Sequence, residues 1–127
     1  MRGGNIVRAE GVNEELFLPL TDAPLTHGGR IGFQVENTIA AIAAAWALDI
    51  KDEFIKRGVS SFTPCFEQSS GRFNVIELGG VTVVVDYGHN IDALKAMLDA
   101  LSHFPHQRRI VVYSSAGDRR DSDIVEQ

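Results

Sequence analysis

Two clusters of polar residues follow apolar, β-branched runs, and both carry side chains that can do chemistry. The first is Asp86-Tyr87-Gly88-His89-Asn90, directly after Val81-Thr82-Val83-Val84-Val85. The second is Gly117-Asp118-Arg119-Arg120-Asp121, shortly after Ile110-Val111-Val112-Tyr113. In an open α/β sheet, ligands bind beyond the carboxyl ends of the parallel strands, so two such loops on one sheet edge can line one crevice. Asp86, ending an apolar strand, can accept hydrogen bonds from ribose hydroxyls. Alternatively, Asp86 and Asn90 only satisfy the turn and the start of the following helix, and the residues alone leave both readings open. His89 can serve as a hydrogen-bond partner or an acid–base group, since imidazole titrates near neutrality. In the second cluster, Arg119 or Arg120 can hold a carboxylate or phosphate bidentately, and an Asp can orient a cationic substrate. A solvated loop with weak local ion pairs is the simpler account of that cluster.

Outside the clusters, single residues carry less. Arg72, after Gly71, is by default a solvated arginine. Asn37, near the start of an apolar helix, reads as a capping or first-turn residue. His103 and His106 flank Phe104-Pro105, and the proline breaks any helical presentation. No other His or Cys stands at ligand spacing, so no metal site is expected there. Cys65 reads as a small hydrophobe in a connector. The sequence contains neither a Gly-x-Ser-x-Gly elbow nor a Gly-x-x-x-x-Gly-Lys-Thr phosphate loop.

The elements that must hold these residues follow from pattern. Phe73 to Leu78 alternates as a strand, and Gly79-Gly80 is a two-residue hairpin turn. Val81 to Val85 reads as a central strand buried on both faces. Ile91, Leu94, Leu98 and Leu101 mark an amphipathic helix, and Arg109 to Ser114 a further buried strand. Strand, helix, strand at this spacing predicts a right-handed βαβ unit, hence an α/β fold. Asp121 or Ser122 would cap another helix, cut short at Gln127. Upstream, Asn5 to Val35 reads as irregular β structure, with one strand inside Glu14–Leu20 and breaks at Thr21–Pro24 and Gly28-Gly29. Val35 to Leu48 is an alanine-rich helix, apolar all round, which calls for packing on more than one side. Asp52 to Ser60 is a short helix with Asp52 as N-cap and Phe54, Ile55 and Val59 as its buried face. Phe62 to Gly71 shows no period and contains Pro64, Ser69, Ser70 and Gly71, the marks of a connector. The expected organisation is therefore residues 1–62, a linker over 63–71, and residues 72–127.

Composition sets the outer limits. The chain has 127 residues, 44% hydrophobic and 23% charged, which is ordinary for a soluble globular domain and argues against disorder. Twelve Lys and Arg against 17 Asp and Glu leave a net charge of -5, which speaks against a general nucleic-acid binder. The longest apolar run, Ile39 to Leu48, falls far short of the roughly 20 residues a membrane span needs. No apolar segment follows Met1-Arg2-Gly3-Gly4, so no secretory signal is expected. A single cysteine is compatible with a reducing cytosol.

Five segments together resemble a known family: Pro24-Leu25-Thr26-His27-Gly28-Gly29-Arg30, Val35-Glu36-Asn37 leading into Ala40-Ala41, Gly71-Arg72-Phe73-Asn74, the Asp86 cluster and the Asp118 cluster. In order and spacing, over nearly the whole chain, they are similar to the Mur-ligase-like portion of the cyanophycin synthetase family, within the Mur ligase superfamily. The Asn helix, the Gly-Arg and the Asp-Tyr-x-His-Asn are shared across that superfamily. The Pro-Leu-Thr-x-Gly-Gly-Arg and Gly-Asp-Arg-Arg-Asp segments point to the cyanophycin branch.

The resemblance implies a fragment: residues 1–62 as the tail of a central ATPase domain, and 72–127 as the first part of a Rossmann-like C-terminal domain, a hairpin plus the βαβ unit. For the full-length protein it implies an ATP- and Mg2+-dependent C–N ligase. ATP phosphorylates an acceptor carboxylate, an amine attacks the acyl phosphate, and an amide, ADP and phosphate result. In the cyanophycin branch, arginine is joined through its α-amino group to the β-carboxylate of a poly-aspartate chain, which a separate ATP-grasp half extends. Such an enzyme is cytoplasmic and a homo-oligomer, with no nucleic-acid or membrane partner. By position, Asn37 matches an adenine contact and Arg72 a catalytic linker arginine that reaches the ATP phosphates. Asp86 matches the ribose carboxylate, His89 and Asn90 the rest of the nucleotide loop, and Asp118 and Arg119 the amino-acid substrate site. The phosphate loop and metal ligands are expected outside this segment, so the chain alone is expected not to hydrolyse ATP. Two departures stand out: Gly88 where relatives carry Ala, which should loosen the loop, and Ile91 where they carry Pro, which removes φ pre-organisation. The alternatives are a peptidoglycan-precursor ligase or folylpolyglutamate synthetase, a nucleotide-binding or interaction module without chemistry, or a degenerate ligase.

Overall fold

The computed structural model describes residues 1–114 together with Ser122 and Val125. The chain divides into two units, Met1–Ser70 and Gly71–Gln127. No helix among the described residues is long and apolar enough to cross a membrane.

The first unit opens with an antiparallel hairpin of β1 (Asn5–Glu10) and β2 (Asn13–Pro19), paired from Asn5↔Pro19 to Glu10↔Asn13. Gly11, at φ 61, takes the first turn position, where a β-carbon would be strained. The sequence predicts only one of these strands. A register shift between Ile6 and Val7 interrupts the alternation that would have revealed β1. Two 3-10 turns, Leu20–Asp22 and Pro24–Thr26, lead to α1 (Gly32–Ala47), α2 (Asp52–Ser61) and the single turn α3 (Phe66–Ser69). The core joins Ile6, Phe17, Leu18 and Leu20 to Val35, Ile42 and Ile55, with Trp46 packed against it. At its edge, fully buried Thr26 places Oγ1 2.8 Å from the Ala23 carbonyl and accepts the Gly29 N–H at 3.0 Å. Gly29 is required twice over: its φ is 85, and a β-carbon there would lie 2.8 Å from Leu20 Cδ1.

Two expectations about α2 need correction. Its N-cap is Lys51, with no side-chain cap bond. Asp52 is drawn away because its carboxylate accepts the Trp46 Nε1–H at 2.9 Å and lies 3.9 Å from Arg8. Phe54 is exposed, whereas Ile55 is buried and Val59 packs on the core. The neighbouring aromatic cluster is closed by cations. Trp46 meets Phe17 edge-on at 4.8 Å, Arg8 lies over the indole at 5.0 Å and Lys56 over Phe17 at 4.9 Å.

The second unit is built on the hairpin β3 (Asn74–Leu78) and β4 (Val81–Val85), paired from Asn74↔Val85 to Leu78↔Val81. Gly79 and Gly80 have φ 57 and 80, the two positive values a type I′ turn demands. Helix α4 (Ile91–Ser102) follows. The α/β class stands, but two details are corrected. Val81 is 60% exposed, so β4 is not a central strand buried on both faces. Arg109–Ser114 carries no strand, Val112 is 96% exposed, and no βαβ crossover forms among the described residues. Parallel strands are held by cover on both faces. Here the outer faces of β4 and of Ile110–Val112 lie open to solvent, so β-branched composition alone does not draw the second run into a sheet.

Candidate functional site

The loop after β4 and the turn before β3 are laced together by main-chain hydrogen bonds. The Asp86 carboxylate accepts the Phe73 N–H on Oδ2 at 2.8 Å and the Gly88 N–H on Oδ1 at 2.6 Å. The Tyr87 N–H donates to the Gly71 carbonyl at 2.9 Å. The Gly71 N–H in turn donates to Asn74 Oδ1 at 2.7 Å. Gly71 and Phe73 both have positive φ, 69 and 53. That conformation is unfavourable for an aromatic residue. Full burial of the Phe73 ring, which approaches Phe104 at 6.1 Å, and the charge-assisted bond of its N–H to Asp86 offset it.

Arg72 stands between these two crosslinks. It is exposed, and among the described residues its guanidinium makes no hydrogen bond or ion pair, so it is open to an anionic ligand. Asn90 is the N-cap of α4, where its Oδ1 accepts the Ala93 N–H at 2.8 Å. His89 is half-buried, with Nδ1 3.2 Å from the Tyr87 carbonyl and its ring 5.3 Å from the Tyr87 ring. At Gly88 a β-carbon would lie 3.1 Å from Asp86 Oδ1, so glycine gives the carboxylate room at the turn.

The structure thus brings together Arg72, Asp86, His89 and Asn90. Both open readings of the loop hold in part, because Asp86 and Asn90 do satisfy the turn and the helix start. Each Asp86 oxygen still keeps acceptor capacity beyond the one N–H it receives. Asn37 belongs to the first unit. It lies in the second turn of α1, not at its cap, and its Nδ2 donates to Gln34 Oε1 at 3.2 Å. Asp118 and Arg119 lie outside the described residues. Phe73 and Asn74, which enter the sequence reading only as part of the Gly71-Arg72-Phe73-Asn74 segment and with no role of their own, also contribute to the site. An asparagine three residues after a glycine is a turn signal that would have found one of them. Among the described residues no three His, Cys, Asp or Glu converge as metal ligands.

Residues 71–126, which contain the laced loops, match the glutamate ligase domain of the Mur ligase superfamily. Within it, the chain is similar to cyanophycin synthetases. It is 40% identical over 103 residues to that of Synechocystis sp., covering 81% of this chain and 12% of the relative. It is 37% identical over 102 residues to that of Trichormus variabilis, covering 80% and 11%. It is also 42% identical over 81 residues to the UDP-N-acetylmuramate–L-alanine ligase of Lachnospira eligens, covering 62% and 17%. The chain spans about an eighth of the length of the cyanophycin synthetases it matches.

Proposed function

We propose that this chain is the nucleotide-facing part of an ATP-dependent acid–amino acid ligase that attaches arginine to the β-carboxylate of a poly-aspartate chain. The observation that carries this reading is the lacing of the Arg72 turn to the Asp86 loop, which ties the backbone on both sides of Arg72 to a loop whose carboxylate retains acceptor capacity. Arg72 binds the ATP phosphates and neutralises charge that develops on the transferring phosphoryl group. Asp86 accepts a ribose hydroxyl, with His89 and Asn90 shaping the same loop, and Asn37 contacts the adenine. The γ-phosphoryl leaves ADP and joins an oxygen of the acceptor carboxylate. The neutral α-amine of arginine then attacks the acyl carbon, the C–O bond to phosphate breaks, and the amine's proton passes to solvent. Asp118 and Arg119 receive the incoming amino acid. Mg2+ neutralises phosphate charge when bound, through ligands outside the described residues.

In this reading residues 1–62 end a central ATPase domain, 63–71 are the linker, and 72–127 begin the C-terminal domain of a cytoplasmic homo-oligomer. The 40% identity to a cyanophycin synthetase over 81% of this chain, against 32% and 34% over 87% for two 2,6-diaminopimelate ligases, favours that substrate. The 42% identity to an L-alanine-adding relative favours a second reading, a peptidoglycan-precursor ligase. The test is a ligase assay on the full-length protein with ATP, arginine and an aspartate-chain primer. Arginine incorporation coupled to ADP release is expected. Absence of incorporation, with turnover on a UDP-linked muramyl acceptor, would overturn the reading in favour of the second.

A further inference from the structure

Asp86 is engaged as an acceptor before any ligand arrives. Phe73, whose N–H it accepts, immediately follows Arg72. Gly71, whose carbonyl accepts the Tyr87 N–H, immediately precedes it. The backbone on both sides of Arg72 is therefore tied to two consecutive residues of the loop. Asn74 closes the turn from beneath: it is 1% exposed, and its Oδ1 receives the Gly71 N–H. A buried carboxamide that gives its oxygen to a main-chain donor is committed to shape.

We propose that Asp86 and Asn74 are positioning residues for Arg72, Asp86 as a clasp and Asn74 as the buried template of the turn, so that the guanidinium is presented from one backbone conformation. The proposal rests on Arg72 being the phosphate-binding residue. It adds that position 86 needs a carboxylate for the arginine's sake. Asparagine there has one acceptor oxygen and would set its NH2 against one of the two N–H donors. A ligand of ribose hydroxyls alone would tolerate asparagine, since an amide oxygen accepts from a hydroxyl and an amide nitrogen donates to one.

The experiment combines residue-resolved amide exchange on this chain with titrations of AMP and ATP, for wild type, Asp86→Asn, Asn74→Ala and Asn74→Asp. In Asp86→Asn, whichever of the Phe73 and Gly88 amides faces the new NH2 should exchange about tenfold faster or more, the consequence of losing a bond to a charged acceptor, while α4 amides keep their protection. Asn74→Ala should speed exchange at Gly71, and Asn74→Asp, which keeps an Oδ acceptor, should restore it. Asp86→Asn should cost ATP a clearly larger fold-loss of affinity than AMP, because only ATP carries the β- and γ-phosphates that Arg72 engages. An equal fold-loss for both nucleotides, or unchanged exchange at both Phe73 and Gly88, would overturn the proposal. If Asp86→Asn does not fold, the Asn74 pair decides: equal ATP affinity in the Ala and Asp variants overturns it, and recovery in Asp supports it. If wild type binds neither nucleotide, the ligase reading fails separately, and exchange in the free chain still decides the clasp.

Discussion

Replacing Asn90 by alanine separates what that residue does for the fold from what it does for a ligand. Of α1, α2, α3 and α4, only α4 has an N-cap whose side chain accepts a main-chain N–H. The bond, Ala93 N–H to Asn90 Oδ1, is 2.8 Å long, and Asn90 has the extended backbone, φ -134, of a capping residue. Losing such a cap costs about 1 kcal/mol, within a range of roughly 0.5–2. A loss of about 1 kcal/mol multiplies the open population of α4 by roughly five. Because the cap acts on one helix of the second unit, the assay is residue-resolved amide exchange near neutral pH, which reads α4 directly. Asn90→Ala should speed exchange across the first turns of α4 by about that factor. Asn90→Asp keeps the acceptor and adds negative charge at a helix N-terminus, a gain of about 0.3–1 kcal/mol, so its α4 should exchange no faster than wild type. Unchanged exchange in the alanine variant, or equal loss in both variants, would refute the capping role. A drop in ATP affinity in Asn90→Asp, with α4 intact, would place Asn90 close to the phosphates as well.

Three further predictions concern the first unit. Gly28→Ala meets only the left-handed penalty of about 1–2 kcal/mol, since its β-carbon would find open space. Gly29→Ala adds a 2.8 Å clash with Leu20 Cδ1, so its thermal midpoint should fall clearly further; equal midpoints would contradict the packing described. Trp46→Phe removes the hydrogen bond to Asp52 and weakens the Arg8 stacking, and about 1–2 kcal/mol of stability should go with them by chemical denaturation. Asp52→Asn, which retains the acceptor, should lose less; an equal loss would show that the bond is not the source. His27 has its pKa lowered from the ordinary 6.5, first by burial and then by Arg30. The unfolded chain therefore takes up the His27 proton more readily than the folded one, and stability should fall as pH drops below 6.5. His27→Asn, which suits the left-handed φ of 51, should flatten that dependence in melts run on either side of this pH. An unchanged slope would sink the assignment.

Much of the scaffold was legible where local pattern decides. The period of Ile91, Leu94, Leu98 and Leu101 marks α4, and Gly79-Gly80 marks the hairpin, because helix periodicity and positive φ are properties of neighbouring residues. Burial was not legible. Val81 to Val85 and Ile110 to Val112 have the composition of covered strands, but cover comes from distant parts of a fold, and Val81, Val83 and Ile110 to Val112 stay exposed. Asp52 looks like a cap until Trp46 competes for its carboxylate. The site divides in the same way. Arg72, Asp86, His89 and Asn90 are candidates through the family resemblance of their segments, and Asn90 reads as a helix start from its residue type. That Asp86 reaches back to the Phe73 amide was invisible, since a backbone donor thirteen residues away leaves no mark in residue type. Phe73 shows the same limit: nothing in its identity announces a buried ring on a left-handed backbone.

The central claim is that the laced loops of residues 71–90 form a nucleotide-binding surface. Titrating the chain with ATP while following its backbone amides and the Arg72 Nε signal tests it most directly. The account predicts saturable shifts at Arg72 and across Asp86 to Asn90, with Arg72→Ala weakening ATP and leaving AMP unaffected. Saturation with shifts elsewhere in the chain, or an ATP affinity untouched by Arg72→Ala, would contradict it.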